Sequence, residues 1–101
     1  MGSFGWKGGR FVGQVASVAP DFIVTVGYNP RRGSYFAVVW HRDDEVDPIF
    51  VVGTEGVGGL PAFERLESEL ALCTVVEIDW DAEALLREAL RNAPGEAPRN
   101  A

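Results

Sequence analysis

A chain of 101 residues is the size of one domain, and folding at that length buries roughly 65% of the extended surface, enough for one core and too little for a deep closed cavity. Hydrophobic residues at 47% and charged residues at 24% exclude wholesale disorder, and the single cysteine, Cys73, excludes an internal disulfide. The net charge of −6 is unevenly placed, with four basic groups against one acidic in residues 1–40 and five against fourteen in 41–101; that polarity can steer a partner and does not suit a phosphate-tracking surface.

Residues 1–9 hold four glycines and read as a flexible N-terminal arm from which Phe4 and Trp6 can dock on the body. The opening "MGSFGWKGGR" lacks the apolar core of a secretory signal, and Trp6 breaks the myristoylation pattern. No stretch approaches the roughly 20 apolar residues of a membrane span, so a cytoplasmic protein without a membrane partner is expected. "RFVGQVASV" (10–18) reads as a strand in which Gly13 marks a bulge or a close approach. After the turn "APD", "FIVTVGY" (22–28) places Phe22, Val24, Val26 and Tyr28 on its core face. "NPRRG" (29–33) is a hairpin loop, with Pro30 presetting φ and Gly33 free to take φ > 0. "SYFAVVW" (34–40) is apolar on both faces, which predicts a central strand covered on both sides. "HRDDEVDP" (41–48) is a loop and "IFVV" (49–52) a short fourth strand; three short connections in succession make an antiparallel meander.

Beyond a glycine-rich loop the period changes. Phe63, Leu66 and Leu70 share one helical stripe, with Leu60 as N-cap and Pro61 at the first helical position. "CTVVEIDW" (73–80) reads as a fifth strand, able to lie parallel to the fourth by a right-handed crossover. Asp81 caps a second helix, with a staple from Trp80 to Leu85. Its apolar stripe is Ala82, Leu85, Leu86, Ala89, Leu90 and Ala93, Glu83 pairs with Arg87, and Pro94-Gly95 end it. The expected fold is α+β: an antiparallel four- to five-stranded sheet with a β-meander first half and two helices packed on one face, order βββ(β)αβα. It occupies a single domain at 10–93, followed by a disordered tail at 94–101.

No catalytic set assembles from the residue types. In "HRDDEVDP" the alternate carboxylates Asp43, Glu45 and Asp47 imitate the start of a calcium loop, but Pro48 stands where glycine is needed and Thr54 where the bidentate Glu belongs, so no metal is expected. His41 has carboxylates nearby and no evident nucleophile, Cys73 reads as a small buried hydrophobe, and no serine lies in a G-x-S-x-G context. The loop "GTEGVGG" (53–59) matches neither the Walker nor the dinucleotide spacing, and no cofactor is expected.

The leading expectation is a small non-enzymatic interaction protein that binds another macromolecule, most readily a protein or a second copy of itself. A small-ligand or anion-binding domain using the loop 53–60 is the alternative, through Gly53, Thr54, Glu55, Gly56, Gly58 and Gly59. Lys7, Arg10, Arg31 and Arg32, with Trp6, Phe11 and Tyr35 close by, form a candidate basic contact surface. A nucleic-acid partner is not expected from four cations, whereas the twelve carboxylates between 43 and 83 admit an acidic mimic of nucleic acid that inhibits a basic protein.

Overall fold

The computed structural model describes residues 4–7, 10–15, 21–44, 46–53 and 60–96. The alternating first half forms β1 (Phe4–Lys7), β2 (Arg10–Val15), β3 (Phe22–Asn29), β4 (Ser34–His41) and β5 (Phe50–Val52), and the second half forms α1 (Phe63–Leu70) and α2 (Ala84–Glu96). The strands pair in chain order, each antiparallel to the next, as short connections require. Gly33 takes φ +60 to close the β3–β4 hairpin. The α+β class, the antiparallel meander and the two helices against it agree with the sequence reading.

Strand alternation decides where the core lies. Phe11, Val15, Val24, Val26, Tyr28, Tyr35, Ala37 and Val39 face the helices; with Phe63, Leu66 and Leu70 of α1 and Leu86, Leu90 and Ala93 of α2 they form one buried cluster. Salt bridges from Arg87 to Glu67 (3.1 Å) and from Arg91 to Glu64 (3.7 Å) join the two helices over this core.

Five details differ from the sequence reading: the N-terminal arm, Gly13, the segment 73–80, the starts of the helices, and the end of α2, which runs past Pro94-Gly95. Phe4–Lys7, expected in a flexible arm, is the edge strand β1: Phe4 pairs with Gly13 and Trp6 with Phe11, and the Trp6 and Phe11 rings meet edge-on at 5.5 Å. The aromatic payload of Trp6 outweighs the entropy of its glycine neighbours. Gly13 sits in regular register between Phe4 and Val26, without a bulge.

The segment 73–80 forms no strand beyond a single bridge at Ile78, and among the described residues the sheet has no parallel pair. A β-branched run becomes a strand only where a ladder partner exists; here Cys73 and Val76 are buried beside the helices, and Trp80 stacks edge-on against Phe63 at 5.4 Å.

Neither helix begins where the sequence places its cap. The carbonyl and N–H of Leu60 are both engaged with β4, so α1 starts two residues later, with Ala62 as N-cap and no side-chain cap bond. Residues 80–83 form a turn before α2, and Asp79 Oδ1, not Asp81, accepts the Ala82 N–H at 3.1 Å. Leu85 is consequently 78% exposed, no member of the buried stripe.

At its far end α2 runs through Pro94 to Glu96. Proline has no N–H, so the Leu90 carbonyl lacks its helical donor; the Tyr35 hydroxyl donates to that carbonyl at 2.5 Å, from within the core. A single side chain of the sheet thereby satisfies the backbone group that Pro94 orphans.

Candidate functional site

The meander gathers one end of each strand to each end of the sheet. The β1–β2 connection with Lys7 and Arg10, the β3–β4 hairpin with Arg31 and Arg32, and the exit of β5 at Gly53 share one end. All four candidate basic residues therefore lie at one end of the sheet, Lys7 paired with Arg10 and Arg31 and Arg32 in the hairpin turn, although 24 residues separate Lys7 from Arg31. Asp21, Asp43, Asp44 and Asp47 gather at the opposite end, where the Asp21 carbonyl accepts the Arg42 N–H at 2.7 Å and Asp44 Oδ1 accepts the N–H groups of Val46 and Asp47. The charge polarity seen along the sequence becomes a polarity along the strands.

The glycine-rich loop leaves the basic end through a closed neck. Ser34, fully buried, accepts the Leu60 N–H on its hydroxyl oxygen at 2.9 Å and offers its one hydrogen to Tyr35 O at 2.9 Å or Gly53 O at 3.4 Å. The Tyr35 N–H donates to Leu60 O at 2.9 Å. Gly53 has φ +73, and a Cβ there would collide with the Tyr35 carbonyl, so this position is restricted to glycine. Of the candidate loop residues only Gly53 is among those described; Thr54, Glu55, Gly56, Gly58 and Gly59 lie outside them.

The sheet face opposite the helices is the feature that the sequence only half discloses. Three cross-strand rows make it up. Gly5, Val12, Gly27 and Phe36 lie toward the basic end, Gln14, Thr25, Val38 and Val51 across the middle, and Ile23 and Trp40 toward the acidic end. None of these residues belongs to the core cluster or to the partly buried hydrophobics packed against it. Phe36 is nevertheless buried, and its ring lies against Gly27, where a Cβ would strike both the ring and the Phe11 carbonyl. β4 is thus apolar on both faces, as the sequence predicts, while among the described residues helices cover only one.

The remaining chemistry is dispersed. His41 is exposed at the acidic end, its ring edge-on to Phe22 at 5.4 Å and its Nδ1 accepting the Asp43 N–H at 3.4 Å. Cys73 is buried in the helical layer and lines an open groove of about 810 Å³ with Glu67, Leu70, Val76, Glu77 and Trp80. Among the described residues no three His, Cys, Asp or Glu side chains converge as metal ligands, and no helix is long and apolar enough to cross a membrane. Among the described carboxylates between 43 and 83, Asp43, Asp44 and Asp47 lie at the sheet end, Glu77, Asp79 and Asp81 in the connection between the helices, and Glu64 and Glu67 on α1 are tied to arginines of α2.

Burial raises the Tyr35 hydroxyl from 10.0 to about 12, with Tyr28 and Glu64 adding to the rise and Arg91 opposing it. It is neutral at physiological pH, a hydrogen-bond donor to the Leu90 carbonyl and not a base.

Comparison with models of protein families, with curated proteins and with solved structures returns no match for this chain.

Proposed function

We propose that this chain is a small non-enzymatic interaction protein that binds another protein through the open face of its sheet. The observation that carries the reading is the two-sided apolar character of β4. A sheet face left to water alternates polar residues outward, whereas Val38 and Trp40, flanked by Val12, Ile23 and the exposed Val51 and adjoining the buried Phe36, form a half-buried apolar patch opposite the helices. Contiguous apolar surface of this kind is a feature of protein interaction sites. A lone buried thiol suits a reducing compartment, so the cytoplasm is the proposed place of action. The test is affinity capture from the native cell with the wild-type chain and with Trp40→Glu. The reading expects a captured protein that the substitution releases; capture that is indifferent to Trp40→Glu overturns it.

Anion binding at the loop 53–60 is a second reading, supported by the placement of the loop's neck at the same sheet end as Arg10, Arg31 and Arg32. Titration with inorganic phosphate would then shift the amide resonances of 53–63; unchanged spectra remove it.

A further inference from the structure

The open face is graded along the strands in both height and charge. Its row near the basic end is low, since Gly5 and Gly27 contribute no side chain, nothing described lies within 4 Å of a Cβ at Gly5, and the Phe36 ring lies down over Gly27. The row near the acidic end is high, built from Trp40 and Ile23. Lys7, Arg10, Arg31 and Arg32 flank the low row, and Asp21, Asp43, Asp44 and Asp47 lie beyond the high one.

We propose that the occupant of this face is a second copy of the chain, stacked sheet on sheet about a twofold axis running across the strands, along the row Gln14, Thr25, Val38 and Val51. This occupant presupposes the protein-binding reading of the face and names its partner. A closed dimer uses one patch on both subunits, so the patch must complement itself after a half-turn. Rotation about an axis across the strands lays each strand over its own copy with the direction reversed. The ends exchange: the Arg31–Arg32 hairpin of each copy lies over Asp21, Asp43 and Asp44 of the other. Ile23 of one copy then lies over Gly27 of the other and Trp40 over Phe36, with Thr25 and Val38 on or near the axis. An axis running along the strands would instead stack basic on basic and acidic on acidic, which is repulsive. Two twisted sheets stack with strands within about 30° of one another and about 10 Å apart, the geometry of β-sandwiches, so strand ends stay over strand ends.

Sedimentation equilibrium of the full chain, from micromolar to near-millimolar concentration at low and high salt, tests the assignment. The expected result is a dimer that salt weakens. Trp40→Glu should weaken it by roughly 30-fold or more, as loss of a central aromatic anchor does. Thr25→Arg, on the axis, is the second disrupting variant should Trp40→Glu fail to fold by circular dichroism. Arg31→Glu with Arg32→Glu should weaken the dimer, and adding Asp43→Lys with Asp44→Lys should restore it, because the two ends meet across the axis. Spin labels on Arg31→Cys in a Cys73→Ala background should lie no closer than about 26 Å, the length of an eight-residue strand.

A monomer at every concentration, a dimer indifferent to both face variants, or a short label distance overturns the proposal. A monomer whose captured protein is still released by Trp40→Glu overturns the second-copy assignment and leaves the protein-binding reading standing. A monomer whose capture is unchanged by the variant overturns both.

Discussion

At the scale of single residues, the Tyr35–Leu90 bond shows how one orphaned carbonyl organises its surroundings. Removing the hydroxyl by Tyr35→Phe leaves a buried acceptor unsatisfied and should cost about 1–3 kcal/mol in denaturant unfolding. Pro94→Ala returns an N–H to the position that Leu90 O would use in an uninterrupted helix, so the cost of Tyr35→Phe should shrink in that background. Equal costs in both backgrounds would refute the account.

The same burial makes Tyr35 a source of alkaline sensitivity. Its folded value of about 12 lies above the ordinary 10.0, so between those values the native state holds a proton that the unfolded chain has lost. Its contribution to stability is whole below pH 10 and is lost as the pH rises through 12. Denaturant midpoints measured across that window should fall more steeply for wild type than for Tyr35→Phe.

At the scale of elements, the loop neck and the two helices make separate predictions. Ser34 bridges β4 to Leu60, across 26 residues of chain, with full burial. Ser34→Ala strands the Leu60 N–H and should cost about 1–3 kcal/mol, with faster amide exchange at Leu60 and Tyr35 as the local readout. Protection unchanged at both amides would dismiss the neck. In α2, Leu90→Ala should lose about 2–5 kcal/mol, while Leu85→Ala, at an exposed position, should stay within about 0.5 kcal/mol.

The α1 stripe of Phe63, Leu66 and Leu70 is legible in the sequence because three- and four-residue spacing has one geometric meaning. The α2 stripe is legible only in part. Leu85 and Leu86 are equally apolar neighbours about 100° apart on a helix, and only the start of the helix and its seat on the sheet decide which turns inward. The strand expected at 73–80 fails for a related reason: its composition records an affinity for apolar surroundings, which the helical layer supplies, and its ladder pairing is reduced to one bridge at Ile78.

At the scale of the whole molecule, the charge asymmetry and the two-sided apolar strand belong together. Neither Lys7 with Arg10 nor Arg31 with Arg32 is a surface by itself; the meander sets both pairs at one end of the sheet and the aspartates at the other. The resulting dipole aligned with the strands favours a partner bound in one orientation along them. Association through the open face should therefore accelerate at low ionic strength, with the effect carried by Arg31 and Arg32. Stopped-flow association rates that are flat across salt would count against that role.

Composition and alternation by themselves determine that this chain builds one α+β domain from an antiparallel meander followed by helices, because apolar period and turn chemistry are local properties. They also determine that β4 is apolar on both faces. Only the tertiary structure decides that β1 completes the sheet, that 73–80 plugs the helical layer, that Ser34 closes the glycine loop at its base and that one face of β4 stays clear of both helices. Each of those outcomes depends on contacts between segments far apart in sequence, where the winner is set by which surface is nearest once the chain has collapsed.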